Sequence, residues 1–430
     1  MRPRRHRLRH RLFKPILRPA AGRKLPPDLR SRKVVRLAQA LPLGVRDPGF
    51  ETLLRRIDGA PLFGGNQVAA YFRGEDAFAA MRAAVTEAES EILLESYIYK
   101  DDHAGRAFLK DLAHAAARGV TVKVLADAVG SYHTRAEFWQ EMERKGIEHR
   151  LFHPLFRQLW YQPFRDHRKI LVVDRRIAFT GGMNIGDEYG SFARRKKVKA
   201  GDIWRDTHVR VIGPAAWEMA VVFSEGWNRA GGSELHLLPL PAEEAEGPPP
   251  RILVLDSRFR RGQAESAAAL AAVVGAARER VWITNSYFAP GWAAVRVLGS
   301  AARRGVDVRL MLPGRSDVPL ARHAGHGYYS RLLSRGVRVF EYDASILHAK
   351  TLVADGYVSV AGSTNLDFRS FLFNAECDLL ILDEAVAGQM TQAFEEDMTH
   401  ADEILRSAWR RRPVLHRLGD RLARWLAPVL

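Results

Sequence analysis

Apolar residues fall along this chain in two alternating rhythms. Ala-rich stretches of helical length give way to short runs rich in Val, Ile and Leu. The first pass predicts helices over 75–90, 103–118 and 134–145, with β runs over 91–99 and 120–126. The second predicts helices over 264–280, 292–304 and 321–334, with β runs over 281–288 and 306–312. In both, a third β run follows the third helix and leads to one more strand and its partner. Alternating helices and strands imply an α/β sheet covered by helices. The later strands lie close together in sequence, so part of each sheet is expected to be antiparallel.

The two passes are copies. "SEILLESYIYKDD" (90–102) resembles "ERVWITNSYFAPG" (279–291), "ARGVTVKVLAD" (117–127) resembles "RRGVDVRLMLP" (303–313), and "KGIEHRLF" (145–152) resembles "RGVRVFEY" (335–342). Tyr97 and Tyr287 are 190 residues apart, Gly119 and Gly305 186, and His167 and His348 181. Near-constant offsets kept in one order argue for a duplicated fold with small loop insertions. The Pro- and acid-rich "PLPAEEAEGPPP" (239–250) reads as the linker. The expected organisation is a basic arm and lead-in (1–55), a first repeat (56–238), the linker, a second repeat (251–405) and a basic amphipathic C-terminal helix (406–430).

The most chemical stretch occurs once in each copy: "HRKILVVDRRIAFTGGMNIGDE" (167–188) and "HAKTLVADGYVSVAGSTNLDFRS" (348–370). Residues two apart share a strand face, so His167 lies beside Lys169 and His348 beside Lys350. Asp174 and Asp355 sit at odd offsets, and the Asp-Gly of "VADGY" is a hairpin-turn signature. Beyond the turn, Gly182 shares a face with Asn184, and Ser363 with Asn365. An imidazole, an ammonium and amide or hydroxyl groups suit an anionic ester, a phosphodiester. Lys neutralises phosphate as a point cation. Asn and Ser steady charge that develops on its oxygens. A His serves as nucleophile or proton carrier. Two copies supply two His, one to attack phosphorus and one to handle protons. With two Lys present, this chemistry calls for no metal and no cofactor. Glu376 in "NAECDLLI" and Asp206 in "WRDTHVRV" occupy matching places before a β run, and are candidates for carboxylates that orient the His rings.

Paired HxKx4D motifs define the phospholipase D superfamily, and the sequence resembles it over nearly all of 56–405. Within it the chain looks like the bacterial cardiolipin synthases of the B type, without N-terminal transmembrane helices. That closer likeness is carried by "ESYIYKDDHAGRAF" (95–108), "RDHRKILVVDRRIAFTGGMNIGDEY" (165–189), "WRDTHVRVIGP" (204–214) and "NAECDLLI" (374–381). The resemblance implies a duplicated α/β fold of two α/β/α lobes with mixed sheets and one active site between them. It implies metal-independent catalysis through a phosphohistidine. The family's catalytic set falls on His167, Lys169, Asp174, His348, Lys350 and Asp355, and its phosphate-binding residues on Asn184, Ser363 and Asn365. Gly182 departs from the pattern where the second copy has Ser363.

Net charge is +17, which favours anionic partners, nucleic acid or an anionic membrane surface. The single Cys377 rules out an intramolecular disulfide and fits a reducing compartment. No apolar run approaches the roughly 18–20 residues of a membrane span. The Arg-rich start has no apolar segment of a secretory signal behind it. The expected place is therefore the cytoplasmic face of a bacterial cell membrane, held peripherally. "RRRPVLHRLGDRLARWLAPVL" (410–430) sets Leu418, Leu422, Trp425, Leu426 and Val429 on one helical stripe flanked by Arg417, Arg421 and Arg424. That stripe suits a lipid interface, and equally a helix docked on the protein body. The arm, with ten Lys or Arg in residues 1–24 and no acid, suits anionic lipid, RNA or a solvated tail. "FARRKKVKAG" (192–201) and the aromatic "HPLFRQLWYQPFRDH" (153–167) read either as site-mouth elements or as ordinary loop and packing.

The expected reaction joins two phosphatidylglycerols to give cardiolipin and glycerol, with phosphatidylethanolamine as an alternative donor. The competing reading is a phosphodiesterase acting on other phospholipids or on nucleic acid, disfavoured because such an enzyme needs no Trp/Leu face. Because the duplication supplies both half-sites, one chain suffices for one site.

Overall fold

A computed structural model describes residues 31–58, 61–153, 164–190, 203–235, 237, 247–257 and 265–426. The N-terminal arm, most of the aromatic loop, the basic insertion and most of the linker lie outside the described residues. Helices α1 (Ser31–Gln39) and α2 (Pro48–Asp58) come first. The first lobe then runs β1 (Gln67–Tyr71), α3 (Gly74–Glu87), β2 (Glu91–Ser96), α4 (His103–Ala117), β3 (Thr121–Asp127), α5 (Ala136–Arg144), β4 (Glu148–Phe152), β5 (Lys169–Val173), β6 (Ile177–Gly181), β7 (His208–Ile212) and α6 (Pro214–Arg229). The second runs β8 (Arg251–Ser257), α7 (Glu265–Ala276), β9 (Arg280–Asn285), α8 (Gly291–Arg303), β10 (Asp307–Pro313), α9 (Pro319–Leu333), β11 (Arg338–Tyr342), β12 (Lys350–Ala354), β13 (Val358–Gly362), α10 (Phe368–Leu372), β14 (Glu376–Leu382), α11 (Glu384–Met398) and β15 (Ala401–Glu403). Helices α12 (Arg406–Arg410) and α13 (Val414–Leu426) follow.

The two sheets have one topology. The first has the order β1-β7-β6-β5-β2-β3-β4, and the second β15-β11-β10-β9-β12-β13-β14-β8. Position for position they match, with β15 added at one edge. In each, three parallel strands joined by helices are followed by antiparallel strands. The sheets are therefore mixed, as the spacing of the β runs implied. Helix bounds fall within about three residues of the expected ones except for α7, which stops at Ala276 with residues 277–279 leading into β9, and for the single C-terminal helix expected over 406–430, which is divided into α12 and α13.

The lobes share a core. Met219, Phe223 and Trp227 of α6 join Ile170 and Val172 of β5, and with them Val254, Val353 and Leu379 of the second sheet, in one apolar cluster. Full burial of a Leu, Val or Phe contributes about 1.5–3 kcal/mol, so this seam outweighs the ion pairs that cross it. The lead-in packs on the second lobe, not the first: Ala38, Phe50 and Leu54 cluster with Ala269, Ala272 and Val273 of α7.

The motif strands are the central hairpins. β5 and β6 pair antiparallel, as do β12 and β13. Their turns place Asp174 and Arg175, and Asp355 and Gly356, at φ of 51°, 55°, 48° and 60°. Positive φ at both central residues is the geometry that matches strand twist. The Asp174 carboxylate accepts from the amides of Glu89, Ser90 and Glu91 at 2.7–2.9 Å. Asp355 accepts from those of Arg278, Glu279 and Arg280 at 2.8–2.9 Å. Each carboxylate thus ties its hairpin to the start of the neighbouring antiparallel strand, β2 or β9. Asp355→Ala is expected to lower stability by about 1–3 kcal/mol in urea unfolding. A loss within experimental error would mean that water replaces the carboxylate at no cost.

Candidate active site

His167 and His348 precede β5 and β12 by two residues, where the strand ladders end and the lobes meet. Both are buried, as are Lys169 and Lys350. Each His is fixed by backbone from the other lobe. The His167 amide donates to the Ala375 carbonyl at 2.9 Å, and the Ala375 amide to the Arg165 carbonyl at 2.9 Å. The His348 amide donates to the Arg205 carbonyl at 2.8 Å, and the Arg205 amide to the Ile346 carbonyl at 2.9 Å.

The carboxylates follow the same exchange. His167 Nδ1 lies 2.9 Å from Glu376 Oε2, and His348 Nδ1 lies 2.7 Å from Asp206 Oδ2. Glu376 belongs to the second lobe and Asp206 to the first, so each ring is held by an acid from the opposite repeat. A proton on Nδ1, donated to the carboxylate, leaves the lone pair on Nε2. Lys169 Nζ donates to the His167 carbonyl at 2.6 Å, and Lys350 Nζ to the His348 carbonyl. Lys350 Nζ also stands 3.0 Å from His348 Nδ1. With the Nδ1 proton committed to Asp206, that approach is a neighbouring charge.

Packing fixes the rings further. Tyr97 lies edge-on to His167, 4.9 Å between centroids. Around His348 stand Trp204, Tyr189 and Tyr287 at 5.1, 5.6 and 6.1 Å. On the opposite strand face, Arg168 is buried between Asp256, Glu225 at 3.5 Å and Glu95 at 3.8 Å. Arg205, next to Asp206, pairs with Asp397 of α11 at 2.8 Å.

Electrostatics differ between the half-sites. Burial, then the charges of Lys169 and Lys350, hold the His167 imidazole well below its ordinary pKa. Burial and Lys350 lower His348 too, against the pull of Asp206. Burial brings Lys169 down to about 7 and Lys350 to about 8. Burial raises Glu376 to about 7, with Lys169 opposing. Burial acts upward on Asp206 as well, but His348 and Lys350 outweigh it and keep the carboxyl below its usual value.

The remaining expected residues separate. Asn184 Oδ1 accepts from the Ile98 amide at 3.1 Å and its Nδ2 donates to Tyr189 Oη at 2.7 Å. Asn365 Oδ1 accepts from Ser286 Oγ at 2.7 Å, and Ser363 Oγ accepts from the Cys377 amide at 3.0 Å. The two Asn brace the loops behind the His–Lys cluster, while the Ser363 hydroxyl also reaches the Glu376 carboxyl and opposes the burial that raises it. Asp174 and Asp355, counted in the catalytic set on resemblance, are corrected. They lie at the far end of five-residue strands, about 17 Å along, with their carboxylates committed to backbone amides. They are turn residues, as strand parity indicated. The departure at Gly182 also has a cause: a Cβ there would come within 2.1 Å of Asp206 Oδ1. Sequence reasoning missed Tyr97, Tyr189, Trp204 and Tyr287 as ring neighbours. The Tyr97/Tyr287 match in the repeat alignment was the available signal.

Comparison with known proteins identifies the family and the fold. The family described as "Cardiolipin synthase, PLD-like domain" matches residues 81–193 and 270–398. Cardiolipin synthase A of Pseudomonas syringae is 36% identical over 87% of this chain and 77% of its own length. Cardiolipin synthase 1 of Bacillus anthracis is 30% identical over 99% of this chain and 84% of its own. Among solved structures, phosphatidylserine synthase of Haemophilus influenzae shares the fold at TM-score 0.67 and 14% identity, covering 88% of this chain and 97% of that one.

Imidazole ¹⁵N spectra should show Nδ1-protonated rings for both His. Asp206→Asn should disturb the His348 signals and spare those of His167, and Glu376→Gln the reverse. Disturbance of the His in the same repeat would overturn the crosswise pairing.

Proposed function

The chain belongs to the PLD-like cardiolipin synthase family, and from that premise we propose how it works as a phosphatidyltransferase: it moves a phosphatidyl group from one phosphatidylglycerol to another, giving cardiolipin and glycerol. The observation that carries this reading is the crosswise pair of buried His–carboxylate couples with a Lys beside each. Two oriented imidazoles suit a two-step transfer in which one attacks and the other carries the proton.

His167 is the nucleophile in this reading. Its Nε2 attacks phosphorus while the bond from phosphorus to the headgroup glycerol oxygen breaks. That oxygen takes the Nε2 proton of the doubly protonated His348 ring, whose Nδ1 proton stays on Asp206, and glycerol leaves. The free hydroxyl of a second phosphatidylglycerol headgroup then gives its proton to His348, and its oxygen attacks phosphorus as the P–N bond breaks. The asymmetry of the acids supports these roles. An anionic Asp206 favours the protonated form of His348 against the burial that lowers it, whereas burial and the charges of Lys169 and Lys350 hold His167 neutral. Lys169 and Lys350 offset the phosphate charge and that of the transition state.

A membrane surface is the place where both lipids are available. No helix among the described residues is long and apolar enough to cross a membrane. Helix α13 packs on α9 through Asp420 and Ala423 and turns the opposite face outward. Leu415, Leu418, Leu422 and Trp425 are exposed there, with Arg417 and Arg421 alongside. This supports peripheral attachment, apolar side chains entering the interface and Arg meeting lipid phosphates. Attachment to the cytoplasmic face is part of the proposal.

The direct test incubates purified protein with phosphatidylglycerol vesicles and follows the lipids by mass spectrometry, with His348→Ala in parallel. Cardiolipin from the wild type alone is expected. Phosphatidic acid in its place would make the enzyme a hydrolase, and cleavage of DNA or RNA without lipid turnover would replace the lipid reading. For attachment, the Leu418→Ser/Leu422→Ser/Trp425→Ser variant should bind anionic vesicles at least about tenfold more weakly in sedimentation, since each lost apolar insertion removes about 1–3 kcal/mol. Unchanged binding would move attachment elsewhere.

A further inference from the structure

The packing of α13 on α9 contains a polar cluster that the transfer reaction does not use. His323 and His326 are three residues apart on α9, on one face of the helix, and Asp420 reaches them from α13. Asp420 Oδ1 lies 3.0 Å from His323 Nδ1 and 3.6 Å from His326 Nδ1. One ligand atom from each residue falls within 4.8 Å of the others. His326 and Asp420 are buried, while the His323 side chain is 52% exposed.

Both buried members are oriented by a further group. Glu341 Oε1 lies 2.9 Å from His326 Nε2 and also accepts from Tyr329 Oη at 3.1 Å. A proton on Nε2, donated to Glu341, leaves the Nδ1 lone pair facing the cluster. Arg412 Nη1 stands 3.0 Å from Asp420 Oδ2, which turns Oδ1 toward the two rings. Glu341 is itself paired with Arg322 at 3.0 Å. A carboxylate behind a His and a cation behind an Asp are the supporting contacts that fix metal ligands.

We propose that His323, His326 and Asp420 bind a divalent transition metal of the zinc class and thereby clamp the C-terminal helix to the second lobe. Two imidazoles and one carboxylate form a donor set that suits zinc. Tetrahedral ligands about 2.1 Å from a metal lie roughly 3.4 Å from one another, and the two separations to Asp420 Oδ1 bracket that value. Rotation of the exposed His323 ring closes the remaining edge, and its solvent side provides the entry path and a fourth position for water. The clamp joins sequence positions about a hundred residues apart and fixes which face of α13 points outward. It stands independently of the lipid reading.

The test uses the full-length protein without an affinity tag, stripped with EDTA, dialysed and titrated with Zn²⁺ against a chromophoric chelator. Wild type should bind one equivalent with a dissociation constant below about 1 μM and gain several degrees of thermal stability at saturation. His323→Ala, an exposed position that the fold tolerates, should weaken binding at least about tenfold, and Asp420→Asn should abolish both binding and the thermal gain. His348→Ala, which removes the other buried His–Asp couple, should bind as wild type does. No binding below about 100 μM, binding unaltered in His323→Ala, or binding lost in His348→Ala would overturn the proposal.

Discussion

Neither repeat holds a finished half-site, and the rest of the molecule follows from that exchange. His167 is positioned by the Ala375 carbonyl and Glu376, and His348 by the Arg205 carbonyl and Asp206. A buried imidazole without its acid would have neither a fixed tautomer nor a stabilised proton. The lobes must therefore meet in one register, and the surrounding contacts enforce it. Arg168 reaches Asp256 across the seam, Arg205 reaches Asp397, and a common apolar core lies beneath. Breaking one partner of such buried pairs leaves an uncompensated charge, so a sliding of the lobes is penalised at several points at once.

Within this symmetric frame the two acids differ by one methylene and the positions opposite them by one hydroxymethyl. Asp206 is short and its carboxylate fills the space at Gly182. Glu376 is longer, and Ser363 sits beside the neighbouring Cys377 backbone. Asp206 is kept ionised by His348 and Lys350, and Glu376 is driven toward neutrality by burial. Duplication supplied two equivalent His residues, and this small difference in packing makes them chemically unequal. That inequality suits the proposed transfer, in which one His attacks with its lone pair and the other gives a proton to the departing alcohol.

Much of this was legible in the sequence because it is local. Repeat offsets, helix and strand alternation, and the His–Lys face depend on residues within a few positions of one another. Strand parity separated Asp174 and Asp355 from the His–Lys pairs, while family likeness grouped all of them together; the amide contacts of those carboxylates agree with parity. The crosswise pairing was not legible. Asp206 and Glu376 could be picked out, but which His each serves depends on how the lobes dock, and no spacing along the chain encodes that. The outward stripe of α13 was visible as a periodicity, yet its exposure is decided by Asp420 and Ala423 on the other face.

The two ends of the second lobe's chemistry are joined by short contacts. Tyr287 stands edge-on to His348, and its hydroxyl donates to Asp317 at 2.7–2.8 Å. Asp317 lies two residues before α9, and α13 lies along α9, where Arg424 donates to the Gly327 carbonyl at 2.9 Å. The helix with the exposed apolar stripe thus rests on the element that begins at the rim of the site. In the proposed attachment, the depth at which Leu418, Leu422 and Trp425 settle in a lipid surface would bear on the position of α9 and so of Tyr287 beside His348. The phosphorus of a lipid lies at the headgroup level, close to the plane where an interfacial helix lies. Attached in this way, α13 would thus lie at the level of the phosphodiester on which the His–Lys cluster acts.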